Sequence, residues 1–514
     1  MRIGVPAEGP DQPLVAATPH TVGLLTKLGY EVAVQHGAGH SAQFPDSAYE
    51  EAGAALVDAA EVWQSDIVTT LDTPADELIA TMHPGATLIA RLAPRKDTKL
   101  ASRLEPTGIT ALAMDAVPRI SRAQAMDVLS SQANVAGYRA VIEAATHFGR
   151  VFTGQVTAAG KMPPAKVYVI GAGVAGLAAI GTANSMGAQV FATDVRPEVA
   201  EQVESMGASF VALPTAQEES SDGYAKAMNE DEAAAAMSLY AAQAAKSDII
   251  ITTANIPGRT APILLDDAAI AAMAPGSVIV DMAAANGGNT TMTVPGEVTV
   301  TANGVTIIGF KDLAGRLPAQ ASQLYGRNIV NLLTLMTPGK DGQLVIDLED
   351  EVVRGIAVTV DGNITWPPPP IKVSAAPAAP TGPTAEELAR HEAEKAAQKK
   401  RSRRNLMIFS AVAVLALVAL ILVTPAATTG HYIVLLLAVL LGFYVISNVT
   451  PALHTPLMSV TNAISGIILV GAISQIGNAN PFIAAISFLS IVLASINIFG
   501  GFAVTHRMLS MFKK

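Results

Sequence analysis

The 514-residue sequence contains no cysteine. Disulfide bonds, thiolate metal sites and cysteine nucleophiles are therefore excluded, and no other pattern predicts a metal site. The first ten residues, MRIGVPAEGP, have neither the basic nor the apolar segment of a secretory signal, so we expect the chain to begin in the cytoplasm. Acidic residues outnumber basic ones, 43 to 33, and the net charge of −10 argues against a nucleic-acid partner.

Charged residues are missing from one long stretch, because no Lys, Arg, Asp or Glu occurs between residues 405 and 505. Roughly 20 apolar residues span a hydrocarbon core of about 30 Å. Four such segments are predicted, at about 406–424, 431–449, 457–476 and 481–503. Four spans leave both ends on one side, and the basic residues before and after them predict that this side is the cytoplasm. The sequence thus predicts a multi-pass protein of the bacterial cytoplasmic (inner) membrane, with its soluble part and both termini on the cytoplasmic side.

The last two apolar segments carry an unusual number of polar residues, among them Ser465, Gln475 and Asn497. Polar side chains inside a membrane usually hydrogen-bond between helices or line a water path. Because no acidic residue is present, a complete proton path in this chain alone is disfavoured. We expect these faces to pack against a partner membrane subunit.

The remaining sequence divides into two α/β lobes and a linker, about three domains in all with the membrane part. Strand and helix patterns alternate over residues 1–120, and a helix and short strands at 318–366 are predicted to return to this first lobe. Residues 121–317 form the second lobe. A linker at 367–404, first rich in Pro and Ala and then charged, precedes the transmembrane domain at 405–514. We predict two Rossmann-like lobes, each with a parallel doubly wound sheet, and an all-α region of four membrane helices.

The strongest local motif is a glycine-rich turn between an apolar strand and a helix of small residues. It reads Gly171-Ala-Gly173-Val174-Ala-Gly176 and follows the apolar run 167–170. In a dinucleotide fold the first glycine permits the tight turn, the second lets the pyrophosphate approach the backbone, and the third lets the helix pack closely. The helix N-terminus then offers free N–H groups to phosphates. The alternative is a glycine-rich turn in an ordinary α/β domain.

A carboxylate follows the next strand, where a dinucleotide fold binds the adenosine ribose. Asp194 ends the run 189–193 and is predicted to accept hydrogen bonds from both ribose hydroxyls. It would repel a 2′-phosphate, which favours NAD(H). Arg196 leaves NADP(H) open, because an arginine there can hold that phosphate.

A long helical pattern at 118–150 connects the two lobes, with Ser121 as its predicted N-cap. A connecting helix of this kind lies along the cleft where the nicotinamide is expected. Arg119 and Gln124 can face this cleft, and Asp127 and Ser130 share a helix face and can orient a carboxamide. The alternative is a solvated capping cluster.

The polar segment at 215–235 predicts a loop that acts as a lid over bound nucleotide, with Tyr224 at its tip. The alternative is a disordered insertion.

Several long runs resemble the alpha subunits of bacterial proton-translocating NAD(P) transhydrogenases, over nearly the whole chain. They are VAATP at 15–19, MDAVPRISRAQAMDVLSSQANVAGYRAV at 114–141, PPAKVYVIGAGVAGLAAIG at 163–181, SDGYAKAM at 221–228, AGRLPAQASQLYG at 314–326, WPPPPIKVSA at 366–375 and HTPLMSVTNAISGI at 454–467.

This resemblance implies an NAD(H)-binding subunit whose partner, a beta subunit, carries NADP(H) and further membrane helices. Hydride would pass directly between the two nicotinamides, in an enzyme of the Si-specific/Re-specific type active only with its beta subunit, and would be coupled to proton translocation. An alpha2-beta2 assembly with a dimeric soluble domain is implied. The resemblance places Gln124, Arg119 and Asp127 at the reaction, with Gln124 towards the second nucleotide. The full set of predicted cofactor-binding residues is Arg119, Ile120, Ser121, Gln124, Asp127, Ser130, Gly171, Gly173, Val174, Gly176, Asp194, Val195, Arg196, Gly223, Tyr224 and Ala254.

Two other functions remain as hypotheses. The two-lobed part also resembles alanine dehydrogenase, so the chain could be a membrane-anchored dehydrogenase acting alone. That family needs a lysine and a histidine for its oxo acid, and residues 65–80 contain no lysine and residues 87–95 no histidine. The third hypothesis, a transporter subunit that senses NADH without chemistry, is mildly disfavoured by the polar cluster at 119–130.

Overall fold

The computed structural model describes residues 1–214, 230–255, 260–369, 466, 468–477 and 479–511, without the side chains of 230, 497 and 499–511. The chain divides into two compact units, Met1–Val373 and Ser374–Lys514. Two predicted membrane spans, 406–424 and 431–449, lie outside the described residues, as does the predicted linker beyond residue 369.

The first lobe is built on an eight-stranded sheet. Its strands are β1 (Arg2–Val5), β2 (Glu31–Gln35), β3 (Ala55–Val57), β4 (Ile67–Asp72), β5 (Thr87–Arg91), β6 (Thr110–Ala113), β16 (Ala357–Val360) and β17 (Asn363–Ile364). Their order is β17-β16-β6-β5-β4-β1-β2-β3. Strands β1 to β6 pair in parallel, in the order 3-2-1-4-5-6 of a doubly wound fold.

The second lobe repeats this arrangement with seven strands. They are β9 (Lys166–Ile170), β10 (Gln189–Thr193), β11 (Ser209–Phe210), β12 (Ile249–Thr252), β13 (Val278–Asp281), β14 (Val298–Val300) and β15 (Thr306–Ile308). Their order is β11-β10-β9-β12-β13-β15-β14. A separate exposed hairpin, β7 (Gln155–Thr157) and β8 (Gly160–Met162), precedes this sheet. The prediction of two doubly wound lobes is confirmed.

The sequence analysis expected parallel sheets, but neither sheet is parallel throughout. Strands β14, β16 and β17 pair antiparallel at the edges. For β16 and β17 the connection explains this difference, because Asp361 and Gly362 alone join the two strands, with φ of 47° and 79°. Parallel pairing needs a crossover of about a dozen residues, whereas two residues with positive φ make a hairpin.

Twelve α-helices belong to the described residues of the first unit. They are α1 (Pro19–Lys27), α2 (Asp46–Glu51), α3 (Ala59–Val62), α4 (Asp76–Ile79), α5 (Leu100–Leu104), α6 (Val128–His147), α7 (Val174–Ser185), α8 (Ala200–Ser205), α9 (Glu230–Ala244), α10 (Asp267–Ala271), α11 (Pro318–Met336) and α12 (Glu351–Ile356). Short 3-10 helices lie at His40–Ala42, Glu105–Thr107, Met114–Ala116, Ser121–Met126, Pro197–Val199 and Ala284–Asn286.

Helix α6 belongs to the cores of both lobes. Val128 and Val135, from its first half, are buried in the first lobe's core, and Ala140 and Ala144 are buried in the second lobe's core. Helix α11 follows the second lobe in sequence, yet its buried face lies in the first lobe's core, where Tyr325 donates a hydrogen bond to the Thr70 carbonyl (2.7 Å).

The second unit contains helix α13 (Pro481–Met511). Its described side chains are those of residues 481–496 and 498. Within the described residues, no helix is both long enough and apolar enough to cross a membrane.

Candidate nucleotide-binding site

The glycine-rich turn lies at the carboxyl end of β9, beside the point where the strand order of the second sheet reverses. Ligands of open α/β sheets bind at such a point. Gly171 has φ of 101°, a conformation that favours glycine, and Gly173 is the N-cap of α7. Val174 begins the helix and is 42% exposed, which is unusual for an apolar residue and leaves it available to a ligand.

The three glycines of the turn have different surroundings. A Cβ on Gly176 would lie 1.8 Å from the Gly171 carbonyl oxygen, so this glycine lets α7 pack against the turn. A Cβ on Gly171 would lie 2.3 Å from Thr253 Oγ1. A Cβ on Gly173 would meet nothing within 4 Å among the described residues. The second glycine is the position at which the sequence analysis expects a pyrophosphate to approach the backbone.

Asp194 directly follows β10 beside this turn and is 8% exposed. One carboxylate oxygen accepts from the Ala172 amide (2.7 Å) and from Arg196 Nη2 (3.2 Å), and the other from the amide (2.9 Å) and Nε (3.0 Å) of Arg196. A carboxylate has about four acceptor positions, and these four bonds fill them. Ribose hydroxyls can therefore reach Asp194 only when the side chain of Arg196 moves aside. Val195, between them, is half-buried.

A buried network holds the chain that leaves β12. Asn289 donates from Nδ2 to the carbonyls of Ala254 and Pro262, both at 2.8 Å. Asp281, at the end of β13, accepts from the Asn289 amide at 2.6 Å. Sequence reasoning identified Ala254 but missed both residues that fix it.

The segment that leads into α6 differs from the prediction. Ser121 does not cap the long helix; it is the first residue of the 3-10 helix Ser121–Met126, whose N-cap is Ile120. Asp127 is the N-cap of α6, because its carboxylate accepts from the Ser130 amide (3.0 Å) and the Ser130 hydroxyl (2.6 Å). The Ser130 hydroxyl therefore donates its hydrogen to Asp127, and the two side chains can act only as hydrogen-bond acceptors towards a carboxamide.

The side chains of Arg119, Ser121 and Gln124 are exposed, and Ile120 is partly buried. Ala123 and Met126 point into the first lobe's core and fix the backbone around Gln124. Gly137, nine residues into α6 from Val128, lies against α7, where a Cβ would be 2.0 Å from the Ala175 carbonyl oxygen. At a rise of 1.5 Å per residue, the start of α6 at Val128 lies about 14 Å along the helix axis from the contact between Gly137 and α7.

Gly223 and Tyr224 lie outside the described residues, so the predicted lid stays a prediction. Over the ranges in which side chains are described, no group of three or more His, Asp or Glu residues is arranged to hold a metal ion.

The strand ends of the first lobe carry a paired set of charges. Asp72, which ends β4, accepts from Arg91, which ends β5, at 2.7 Å. Glu8 lies in the adjoining cleft of 420 Å³ and accepts from the Leu71 amide at 2.7 Å. Burial raises the pKa of Glu8 to about 8, against the opposing effect of the Leu71 hydrogen bond. Glu8 and Asp72 thus line this cleft, and Asp72 is paired with Arg91 of the next strand.

Comparison with known proteins agrees with this geometry. Residues 4–136 and 140–367 match the families described as the N-terminal and C-terminal domains of alanine dehydrogenase/PNT, and residues 431–514 match the 4TM region of pyridine nucleotide transhydrogenase. The chain is 54% identical to NAD(P) transhydrogenase subunit alpha of Haemophilus influenzae, over all of both chains. The chain belongs to the family of NAD(P) transhydrogenase alpha subunits. The predicted family resemblance is confirmed.

Two further similarities separate the parts of the chain. A solved transhydrogenase structure from Sinorhizobium meliloti is 41% identical with a TM-score of 0.65, and it is matched over 100% of its length by 71% of this chain. An alanine dehydrogenase of Mycolicibacterium smegmatis is 30% identical over 56% of this chain and 74% of its own. The likeness to alanine dehydrogenase is therefore more distant and confined to the two-lobed part.

Proposed function

We propose that this chain is the NAD(H)-binding subunit of a membrane transhydrogenase. Hydride passes directly between NADH on this chain and NADP+ on a partner beta subunit, and the transfer is coupled to proton translocation. The observation that carries the nucleotide site is the contrast within the glycine-rich turn, where Gly171 and Gly176 are closed by neighbouring atoms and Gly173 is open.

The chain's own residues bind and orient. The N-terminus of α7 faces the pyrophosphate with its free N–H groups, and Asp194 takes the adenosine ribose once Arg196 has moved. Asp127 and Ser130 accept from the carboxamide, Arg119 lies on the same side, and Gln124 faces the second nucleotide. NADH supplies the hydride when bound. No side chain need act as an acid or base, since the protein's task is to bring two rings together and exclude water.

The alternative, a dehydrogenase acting alone, is disfavoured by the first lobe. An oxo acid needs cationic partners for its carboxylate and its carbonyl oxygen. The ranges 65–80 and 87–95 contain Asp72 and Arg91, which form an ion pair at the ends of their strands. The half-buried Glu8 lies beside them. An anionic substrate would find the one arginine there already paired and would lie against the Asp72 carboxylate, which a binding site for an anion avoids.

The finer features of this proposal follow the family resemblance. They are the Si-specific/Re-specific stereochemistry, dependence on the beta subunit, an alpha2-beta2 assembly with a dimeric soluble domain, a soluble part on the cytoplasmic side, and a lid that carries Gly223 and Tyr224. The domain bounds of the sequence analysis are part of the proposal as well. The paired strands at 357–364 support the return of the chain to the first lobe.

The test uses residues 1–369, a fragment matched in extent by the solved transhydrogenase chain. It is titrated with NADH and NADPH by calorimetry, and an NADP(H)-binding partner domain is then added while exchange of hydride between the cofactors is followed. We expect NADH to bind more tightly than NADPH, and exchange only in the mixture. Oxidation of NADH by an oxo acid without the partner would overturn the proposal, and binding without either reaction would favour a sensor.

A further inference from the structure

The carbonyl oxygen of Ala125 accepts two side-chain hydrogen bonds from α11. Asn328 and Asn331 each donate from Nδ2 at 2.8 Å. The two asparagines are three residues apart, on one face of the helix. They are more than 200 residues from Ala125 in sequence, so the contact is purely tertiary.

The peptide held in this way directly follows Gln124. A carbonyl at the end of a short helix has no partner within that helix, and the Gln124 carbonyl accepts from the Asp127 amide at 3.3 Å. The Ala125 carbonyl is thus the next group that needs a donor, and α11 supplies two. The side chain of Gln124 is exposed and makes no hydrogen bond with the described residues. Its direction is set by the backbone from which it projects.

The buried asparagine is a costly choice for packing alone. Asn328 is 5% exposed and its Oδ1 is buried without a hydrogen-bond partner among the described residues. An apolar residue would avoid that penalty, because an unsatisfied buried polar group destabilises the fold. What the amide provides in return is the donor that holds Ala125.

We propose that Asn328 and Asn331 are positioning residues that hold Gln124 towards the nucleotide on the partner subunit. They touch neither cofactor and act through the Ala125 carbonyl. The inference rests on the proposed function, since it gives these residues a purpose in transfer between two bound nucleotides. Loss of one donor lets the peptide after Gln124 rotate, which lowers the fraction of complexes in the reactive arrangement.

The test measures steady-state transhydrogenation by the full chain assembled with its beta subunit. A neutral hydrogen bond changes an equilibrium by roughly twofold to tenfold, so we expect Asn331→Ala to lower kcat by that factor. The KM for NADH should change by less than twofold, because the NADH contacts remain. Asn331→Asp keeps the shape without the donor and should behave like the alanine variant, whereas Asn331→Gln keeps a donor and should recover part of the rate. Thr334→Ala is the matched control, since its hydroxyl bonds only Val330 of the same helix.

A double-mutant cycle with Gln124→Ala separates positioning from general support of the fold. If Asn331 acts through Gln124, Asn331→Ala should cause no further loss of kcat once Gln124 is truncated. Asn328→Ala should repeat the result where the buried variant folds, and the partly exposed Asn331 decides the question in either case. A wild-type kcat in Asn331→Ala, or losses that multiply in the double variant, would overturn the inference. A wild-type complex without transhydrogenation would instead overturn the proposed function.

Discussion

Replacing Gly173 by alanine separates a binding role from a folding role at the glycine-rich turn. The residue has φ of −74° and ψ of −169°, which any L-amino acid adopts, and a Cβ there meets nothing within 4 Å among the described residues. Alanine restricts the unfolded chain, a gain of about 0.4–1 kcal/mol, but is a poorer N-cap than glycine by a similar amount. These effects offset each other, so the free energy of unfolding should change by less than about 1 kcal/mol.

NADH affinity should respond quite differently. The new methyl group would occupy the space over which the pyrophosphate approaches the backbone, and overfilling a close contact costs about 1–3 kcal/mol. This corresponds to a dissociation constant raised roughly 5- to 150-fold. Calorimetric titration of residues 1–369 with NADH measures the change, and thermal unfolding of the same sample measures the stability.

Gly176→Ala provides the matched contrast. Its Cβ would lie 1.8 Å from the Gly171 carbonyl oxygen and 2.8 Å from the carbonyl carbon, so α7 must shift against backbone that has little freedom. We expect this variant to lose about 1–3 kcal/mol of stability or more. NADH binding by Gly173→Ala equal to that of the wild type would refute the pyrophosphate assignment. Equal destabilisation of both variants would refute the argument from open space.

Three further changes have expected outcomes. The pKa of Glu8 is about 8 in the native state and near 4.5 in the unfolded chain, so the free energy of unfolding falls as the pH rises between these values. The melting temperature of Glu8→Gln should therefore rise relative to that of the wild type from pH 5 to 8. A constant difference between the two melting temperatures over this range would contradict the prediction. Glu143→Ala should cost about 3 kcal/mol in denaturant unfolding, because two arginines lose a carboxylate that is 3% exposed, and an unchanged midpoint would show that solvent replaces it. Asp194→Ala should weaken NADH binding by roughly tenfold or more. It should also raise the affinity for NADPH relative to NADH, because the carboxylate that repels a 2′-phosphate is lost. An unchanged ratio of the two dissociation constants would exclude a selective role for Asp194.

The parts of the site that depend on local sequence could be predicted from it. The spacing of the glycines between a strand and a helix predicts the turn at Gly171 and the close helix packing at Gly176, and the structure shows both. The pyrophosphate contact at Gly173 stays a prediction. The doubly wound topology follows from alternating strands and helices over long ranges. The antiparallel edge strands were not predicted, because a short connection indicates antiparallel pairing only when both of the strands that it joins have been recognised in the sequence.

Other features depend on residues far apart in sequence and leave no local pattern. Asn328 and Asn331 meet Ala125 across more than 200 residues, and no spacing rule connects them. Asp127 illustrates a different limit. The sequence analysis placed the N-cap at Ser121, whereas the structure places Ser121 in a 3-10 helix and Asp127 at the N-cap of α6. Ala123 and Met126 of the 3-10 helix are buried in the first lobe's core, a tertiary contact that the local sequence pattern does not show.

The two halves of the candidate site are joined through α6. Its first half is part of the first lobe's core and its second half part of the second, where Gly137 allows backbone contact with α7. Glu143, near its end, accepts from Arg139 of the same helix and from Arg316, which precedes α11. Because the first lobe also holds α11, and α11 holds the peptide after Gln124, one connected set of contacts runs from the phosphate-facing turn to the residue proposed to face the second nucleotide. A shift at either end would disturb these contacts, so under the proposed function we expect a rigid α6 to be needed for bringing two nicotinamides together.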